Sequence, residues 1–251
     1  MEGFADKVAL ITGGSRGIGA ATAKAFAANG AKVCLTYHSD KESAVRTQSE
    51  IRRRGGECLV LRARVENEKS VRWTVKKTLE KYGRIDILVN NAGIWREAEI
   101  GKMKEKEWDE TIAINLKGTF LFCNEVARVM KRQKSGKIIN ISSTAGQRGE
   151  PYHSHYAASK GGVIAFTKSI SAELAPHNIN VNCVSPGWVD TDMTSAVLRF
   201  RSQRRSIDSA IPRGRVATPE DIVGAILFLA SPAADHIVGA SINVNGGSVL
   251  F

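Results

Sequence analysis

A chain of 251 residues with 43% apolar and 24% charged side chains has the composition of a globular domain, not of a disordered or fibrous one. It is long enough to bury one sizeable core, and no apolar run approaches the roughly 18–20 residues that cross a bilayer. The net charge of +11 does not by itself call for a nucleic acid. Arg52, Arg53 and Arg54, and Lys131, Arg132 and Lys134, fall at the ends of helical patterns, where the helix dipole favours cations. Neither a nucleic-acid partner nor a membrane is expected.

The first residues, MEGFADKVALITGG, lack a basic region ahead of an apolar stretch and a small-residue cleavage site, so no signal peptide is expected. β-Branched runs at 8–12, 33–36, 58–61, 85–89, 138–141, 179–184 and 241–244 predict strands. Helical spacing over 18–29, 41–54, 69–82, 108–132, 156–175 and 219–230 predicts helices between them. The strands are almost continuously apolar, as when helices cover both faces of a parallel sheet. The alternation predicts an α/β fold: a seven-stranded, doubly wound sheet of Rossmann type in a single domain over 1–251. The longest stretch without an assigned element, 191–215, is expected to form a substrate lid at the carboxyl edge of the sheet. Cys34, Cys58, Cys123 and Cys183 lie far apart with no C-x-x-C pair, and read as small buried hydrophobes in a reducing, cytoplasmic compartment.

Between the first strand and the first helix lies ITGGSRGIG, from Ile11 to Gly19. Gly13, Ser15 and Gly17 fit the G-x-S-x-G elbow of a serine hydrolase. That elbow needs an earlier strand to complete its oxyanion hole, and only fourteen residues precede Ser15. None of His38, His153, His155, His177 and His236 sits in a supporting motif. The first strand–turn–helix is instead where a dinucleotide-binding fold puts its phosphate loop. Gly13 permits the tight turn, Gly17 lets backbone amides approach a pyrophosphate, and Gly19 lets the helix pack closely on the strand. The spacing Gly-x-x-x-Gly-x-Gly departs from the common G-x-G-x-x-G, so the loop needs support from elsewhere in the chain.

That support comes from four places. Asn90, Asn91, Ala92 and Gly93 close the fourth strand; Asn115 lies inside a helical pattern, in TIAINLKG; Ser142 and Ser143 close the fifth strand. YAASK puts Tyr156 and Lys160 one helical turn apart on one face. In this order and spacing, followed by Pro186 and Gly187, the motifs resemble the short-chain dehydrogenase/reductase family from Lys7 to the turn at Asn245, Gly246 and Gly247. Within it the chain is most similar to the bacterial 3-oxoacyl-[acyl-carrier-protein] reductases and their broad-specificity relatives. The resemblance implies an NAD(P)-dependent oxidoreductase that interconverts a ketone and a secondary alcohol. Tyr156 would be the proton donor and Ser143, thirteen positions before it, would hold the substrate oxygen. Lys160 would favour the phenolate and bind the nicotinamide ribose, and Asn115 would fix a water that relays protons to the lysine. A free tyrosine titrates near pH 10, and a neighbouring ammonium is expected to bring it down. His153 and His155 show no carboxylate or cysteine spacing around them, so they read as loop residues and no metal is expected.

The resemblance also implies a cofactor site. It comprises Gly13, Ser15, Arg16, Gly17, Ile18 and Gly19 of the loop; His38, Ser39, Arg64 and Val65; Asn91, Ala92 and Gly93; Tyr156 and Lys160; and Pro186, Gly187, Val189 and Thr191. An NAD site carries an acid at the end of the second strand. Tyr37 stands there, and Arg16 lies in the loop, so NADP(H) is expected in preference to NAD(H). Arg64 stands where many members carry aspartate, another cation near the nucleotide. The expected substrate is a small-molecule or acyl-carrier-linked carbonyl; Lys134 and His177 match positions where the carrier-dependent members present arginines. A reductase of a sugar, a steroid or a xenobiotic ketone would share these motifs, whereas a non-catalytic nucleotide-binding protein would be expected to lack Tyr156 or Lys160. The resemblance implies a homotetramer, with helices 108–132 and 156–175 pairing across two-fold axes and residues 248–251 near a neighbouring subunit. Arg199, Arg201, Arg204 and Arg205 form either a solvated helix face or a face toward an anionic substrate or carrier arm.

Overall fold

Successive side chains of a strand point to opposite faces, and in this protein both faces find apolar cover. The computed structural model describes residues 3–250. Seven parallel strands form one sheet: β1 (Val8–Ile11), β2 (Lys32–Tyr37), β3 (Cys58–Arg62), β4 (Ile87–Asn90), β5 (Gly136–Ile141), β6 (Ile179–Pro186) and β7 (Ser241–Val244). Ala9 and Ile11 of β1 pack with Phe26, Leu35 and Ile226, while Leu10 between them packs with Phe122, Val126 and Met130. The first cluster lies under α1 (Gly17–Ala28), α2 (Lys41–Arg53) and α10 (Pro219–Ala230). The second lies under α3 (Glu68–Tyr82), α5 (Gly118–Gln133) and α7 (Ser154–Leu174).

The strand order is β3-β2-β1-β4-β5-β6-β7. The winding therefore reverses between β1 and β4, which pair with Leu10 opposite Leu88. Connections leave these two strands in opposite directions, and the gap between them is the crevice where doubly wound sheets take ligands.

The pattern that predicts one helix over 108–132 is resolved into α4 (Glu105–Ile112) and α5, joined by a π-helical turn at Ala113–Lys117. A single wide turn leaves the apolar spacing on either side intact, so periodicity cannot report it. The expected lid region contains two helices, α8 (Ser195–Leu198) and α9 (Arg201–Ala210). Leu198, Ile211 and Val216 form a small core there with Trp188 and Ile207. A further short helix, α6 (Ala145–Arg148), follows β5. The basic runs do end helices: Arg52 and Arg53 lie in the last turn of α2, Lys131 and Arg132 in that of α5. All four cysteines are free and buried. Among the described residues no helix is long and apolar enough to cross a membrane.

Candidate active site

The carboxyl ends of β1, β4, β5 and β6 open onto a cavity of about 1220 Å³. Every residue expected to meet a cofactor lines it except Gly19. Gly19 has another task. A Cβ there would stand 2.2 Å from the Gly13 carbonyl oxygen and 2.5 Å from Asn91 Nδ2, so only glycine lets α1 press this closely on the loop. Asn91 Nδ2 donates to the carbonyls of Thr12 and Gly13, both at 3.0 Å, and ties the loop to the end of β4. Gly13 (φ 63°) and Gly17 (φ 53°) take the left-handed conformation that turns the chain into α1. No side chain caps α1, so its first N–H groups are left to an anion. A pyrophosphate fits this cradle.

Beside it, no acid stands at the end of β2: Tyr37 closes the strand. Asp40, three residues on, accepts from Ser43 N–H at 3.0 Å and caps α2. Arg16 lies between two carboxylates, 3.7 Å from Asp40 and 3.6 Å from Asp192, and remains exposed. Arg64 is held by Glu66 at 2.8 Å. Arg16 and Arg64 thus both line the cavity.

The reacting groups meet where α7 crosses the ends of β5 and β6. Ser142 Oγ donates to the Lys160 carbonyl at 2.7 Å and is spent on positioning α7. The Ser143 hydroxyl instead accepts from Ala145 N–H at 3.1 Å and lies close enough to the Tyr156 hydroxyl to favour its ionised form. Lys160 Nζ donates to the Ile141 carbonyl at 2.8 Å and lies 5.8 Å from the centre of the Tyr156 ring. Both groups are buried. The lowering of Tyr156 expected from Lys160 is not found. Burial pushes the hydroxyl up to about 12, the Ser143 hydrogen bond opposes this in part, and the Glu150 charge adds to it. Burial pulls Lys160 down to about 8, with a small opposing effect of Cys183. Low polarizability around both groups disfavours the charged form of each.

Asn115 does not line the cavity. Its side chain, fully buried in the π turn, accepts from Ile94 N–H at 2.8 Å and donates to the Ile94 carbonyl at 3.0 Å and to Ser159 Oγ at 3.1 Å. Its carbonyl accepts from the Thr119 hydroxyl at 2.8 Å. In this structure Asn115 ties the loop following Asn90 to α7.

Of the two histidines expected in a loop, His153 is in the loop before α7 and His155 is not. His153 is buried beside the start of α7 and His155 is fully buried within its first turn. Both nitrogens of His155 and the Nε2 of His153 have no hydrogen-bond partner, and burial holds the His155 pKa below its ordinary value. Among the described residues no three His, Cys, Asp or Glu side chains are grouped to hold a metal.

The lining residues that were not anticipated include Trp95, Arg148, Glu150 and Trp188. Trp95 follows the Asn90–Gly93 turn by two positions and Trp188 follows Gly187 directly, so proximity to the motifs was a usable signal for both. Glu150 and Arg148 carry no such signal.

A family model described as enoyl-(acyl carrier protein) reductase matches residues 13–248. The 3-oxoacyl-[acyl-carrier-protein] reductase of a Synechocystis species is 45% identical over 252 residues, covering 100% of both chains. The corresponding Staphylococcus aureus reductase, FabG, is 41% identical over 244 residues, 97% of this chain and 98% of its own. Among solved structures, levodione reductase superposes with a TM-score of 0.94 at 32% identity, over 98% of each chain. A putative gluconate dehydrogenase of Agrobacterium tumefaciens gives 0.94 at 30% identity over 100% of each.

Proposed function

The chain belongs to the short-chain dehydrogenase/reductase family, and from that premise we propose that it is an NADP(H)-dependent reductase of 3-oxoacyl thioesters carried on an acyl carrier protein. The observation that carries this is the meeting of Ser143, Tyr156 and Lys160 in one cavity with a glycine cradle at its other end. The full-length similarity to the carrier-dependent reductases supports the substrate class.

When bound, the nicotinamide supplies the hydride. As negative charge grows on the carbonyl oxygen, a donor must already be aimed there. Ser143 and Tyr156 are neighbouring hydroxyls able to bond one oxygen between them. A tyrosine held near 12 is fully loaded at neutral pH, and it is still a far stronger acid than an alcohol product. It therefore gives its proton readily to an alkoxide, whereas taking one from an alcohol would first require the phenolate. The balance suits reduction. Lys160, mostly charged below pH 8, stabilises the phenolate that donation leaves behind.

Tyr37 in place of an acid, and Arg16 and Arg64 at the cavity's edge, favour NADP(H) over NAD(H). The four buried thiols suit a cytoplasmic setting. A homotetramer fits the outer faces of α5 and α7. Phe120 is 44% exposed with its ring 6.2 Å from that of Phe166, and a second copy would cover both. Of the C-terminal residues expected at a neighbour, Val249 is buried, Leu250 is exposed and Phe251 lies outside the described residues. Light scattering should show four subunits; a monomer at micromolar concentration overturns that part.

The test of activity is NADPH oxidation by the purified protein with an acetoacetyl thioester, a crotonyl thioester and a cyclic diketone. Turnover of the 3-oxo thioester should exceed the others by at least about tenfold, a discrimination of about 1.4 kcal/mol. Oxidation of NADPH with the enoyl thioester or the diketone alone would overturn the proposal.

A further inference from the structure

Three of the unanticipated residues of the cavity, Trp95, Glu150 and Trp188, belong to one connected structure. The loop after β4 and the loop before α7 are tied together three times. The Trp95 ring stacks on His153, with centroids 4.4 Å apart and planes within 2°. Trp95 Nε1 donates to Glu150 Oε2 at 3.3 Å. Ala98 N–H donates to the Tyr152 carbonyl at 2.7 Å. His153 is fixed in turn, since its Nδ1 lies 3.0 Å from the Pro151 carbonyl and its backbone N–H donates to the Glu150 carbonyl at 3.1 Å. From the opposite side Trp188, at the end of β6, meets the Trp95 ring edge-on at 5.7 Å and 84°.

A tryptophan free on a loop swings aside for a bulky substrate. Trp95 cannot do so without losing a stack, a hydrogen bond and an edge contact together, and it is backed by a buried ring. Trp95, Trp188 and Glu150 line the same cavity as Ser143 and Tyr156, so this wall bounds the space left for whatever the carbonyl carries. Charged side chains share the lining of the cavity with these rings: Glu150, Arg148 and Arg96, the last paired to Glu110. An alkyl chain passing the wall would displace water from charged groups and gain no apolar contact in exchange.

We propose that Trp95, clamped by His153 and Glu150 and backed by Trp188, ends the acyl-chain space and restricts this enzyme to short 3-oxoacyl groups. This rests on the proposed 3-oxoacyl reductase activity and adds to it the length of the chain accepted. Trp95 determines specificity; His153 and Glu150 act by positioning it.

The experiment compares kcat/KM for acetoacetyl and 3-oxododecanoyl thioesters of the same carrier. Wild type should favour the short chain by at least about tenfold, and Trp95→Ala should raise the long-to-short ratio by at least about tenfold, the scale of hydrophobic-pocket discrimination. Should Trp95→Ala fail to fold, Trp95→Leu reads the same ratio. Glu150→Ala should relax the profile in the same direction, while Glu150→Gln, which keeps the acceptor for Trp95 Nε1, should retain the wild-type preference. Equal use of both chains by wild type, or a ratio that neither tryptophan variant moves, overturns the inference and leaves the reductase activity standing. If neither thioester is reduced, it is the activity itself that fails.

Discussion

The two ends of the cleft are made of different material. The glycine end is mostly backbone. Its shape comes from left-handed turns at Gly13 and Gly17, the close approach of α1 at Gly19, and Asn91 bridging two carbonyls. The aromatic end is made of side chains from segments far apart in sequence, with Trp95, His153 and Trp188 stacked edge and face. A backbone cradle suits a ligand whose phosphates never vary, because amides at fixed positions meet one geometry. A side-chain wall suits the part of a substrate that distinguishes one enzyme from another, because a single substitution reshapes it without disturbing the sheet.

The reacting groups stand between these ends, and the largest effect is expected there. Tyr156→Phe should leave NADP(H) binding nearly intact and reduce kcat by about 10²–10⁴-fold, the usual contribution of a positioned general acid. Turnover above about a tenth of wild type would show that another group supplies the proton.

The burial of Lys160 has a consequence for stability that can be measured without substrate. Its pKa falls from 10.5 unfolded to about 8 folded, so between those values the unfolded chain binds more protons and stability rises with pH. Below pH 8 the full penalty is present, at most roughly 3 kcal/mol from about 1.4 kcal/mol per pH unit. Tyr156 acts in the opposite sense. Raised to about 12, it costs stability as pH climbs from 10 toward 12. Lys160→Met should therefore unfold with a flatter profile between pH 8 and 10 in denaturant titrations. A profile parallel to wild type would place the ammonium in water.

At the glycine end, Arg16→Ala should weaken NADPH by about tenfold or more, the worth of a charge-assisted hydrogen bond, and leave NADH little changed. Equal losses for both would mean that Arg16 holds the loop to Asp40 and Asp192 and does not read a phosphate.

The smallest effect is expected outside the cleft, on α9. Arg204 is already engaged with Asp190 at 2.6 Å, and Arg199 lies 4.8 Å over the Phe200 ring. Replacing Arg201, Arg204 and Arg205 with glutamine should raise KM for a carrier-linked substrate by roughly two- to fivefold at low salt, as exposed charges do. A small neutral ketone should respond by less. An equal response of both substrates, or of neither, makes the arginines a solvated face.

Strand positions and the doubly wound class were legible because a buried parallel sheet demands continuous apolar runs, and residues near 8–12 and 179–184 supply them plainly. The cavity-lining glycines and the Tyr156–Lys160 pair were legible because a fixed turn or one helical turn imposes a fixed spacing. Asn115 was found but its setting was not. Its spacing is helical, and only the π turn shows a side chain spent on Ile94 and Ser159. His155 was misplaced because a histidine buried without partners leaves no mark on the local pattern.

The sequence by itself determined the doubly wound sheet, the glycine turn after β1 and the spacing of Tyr156 and Lys160, since each depends on contacts within one turn or on the period of one element. Only the tertiary structure decided the rest. It set the direction in which burial moves Tyr156 and Lys160, the commitment of Ser142 to the Lys160 carbonyl, and the stack of Trp95 on His153. These depend on how much water is excluded and on which distant segments meet, and neither is a property of any short stretch of chain.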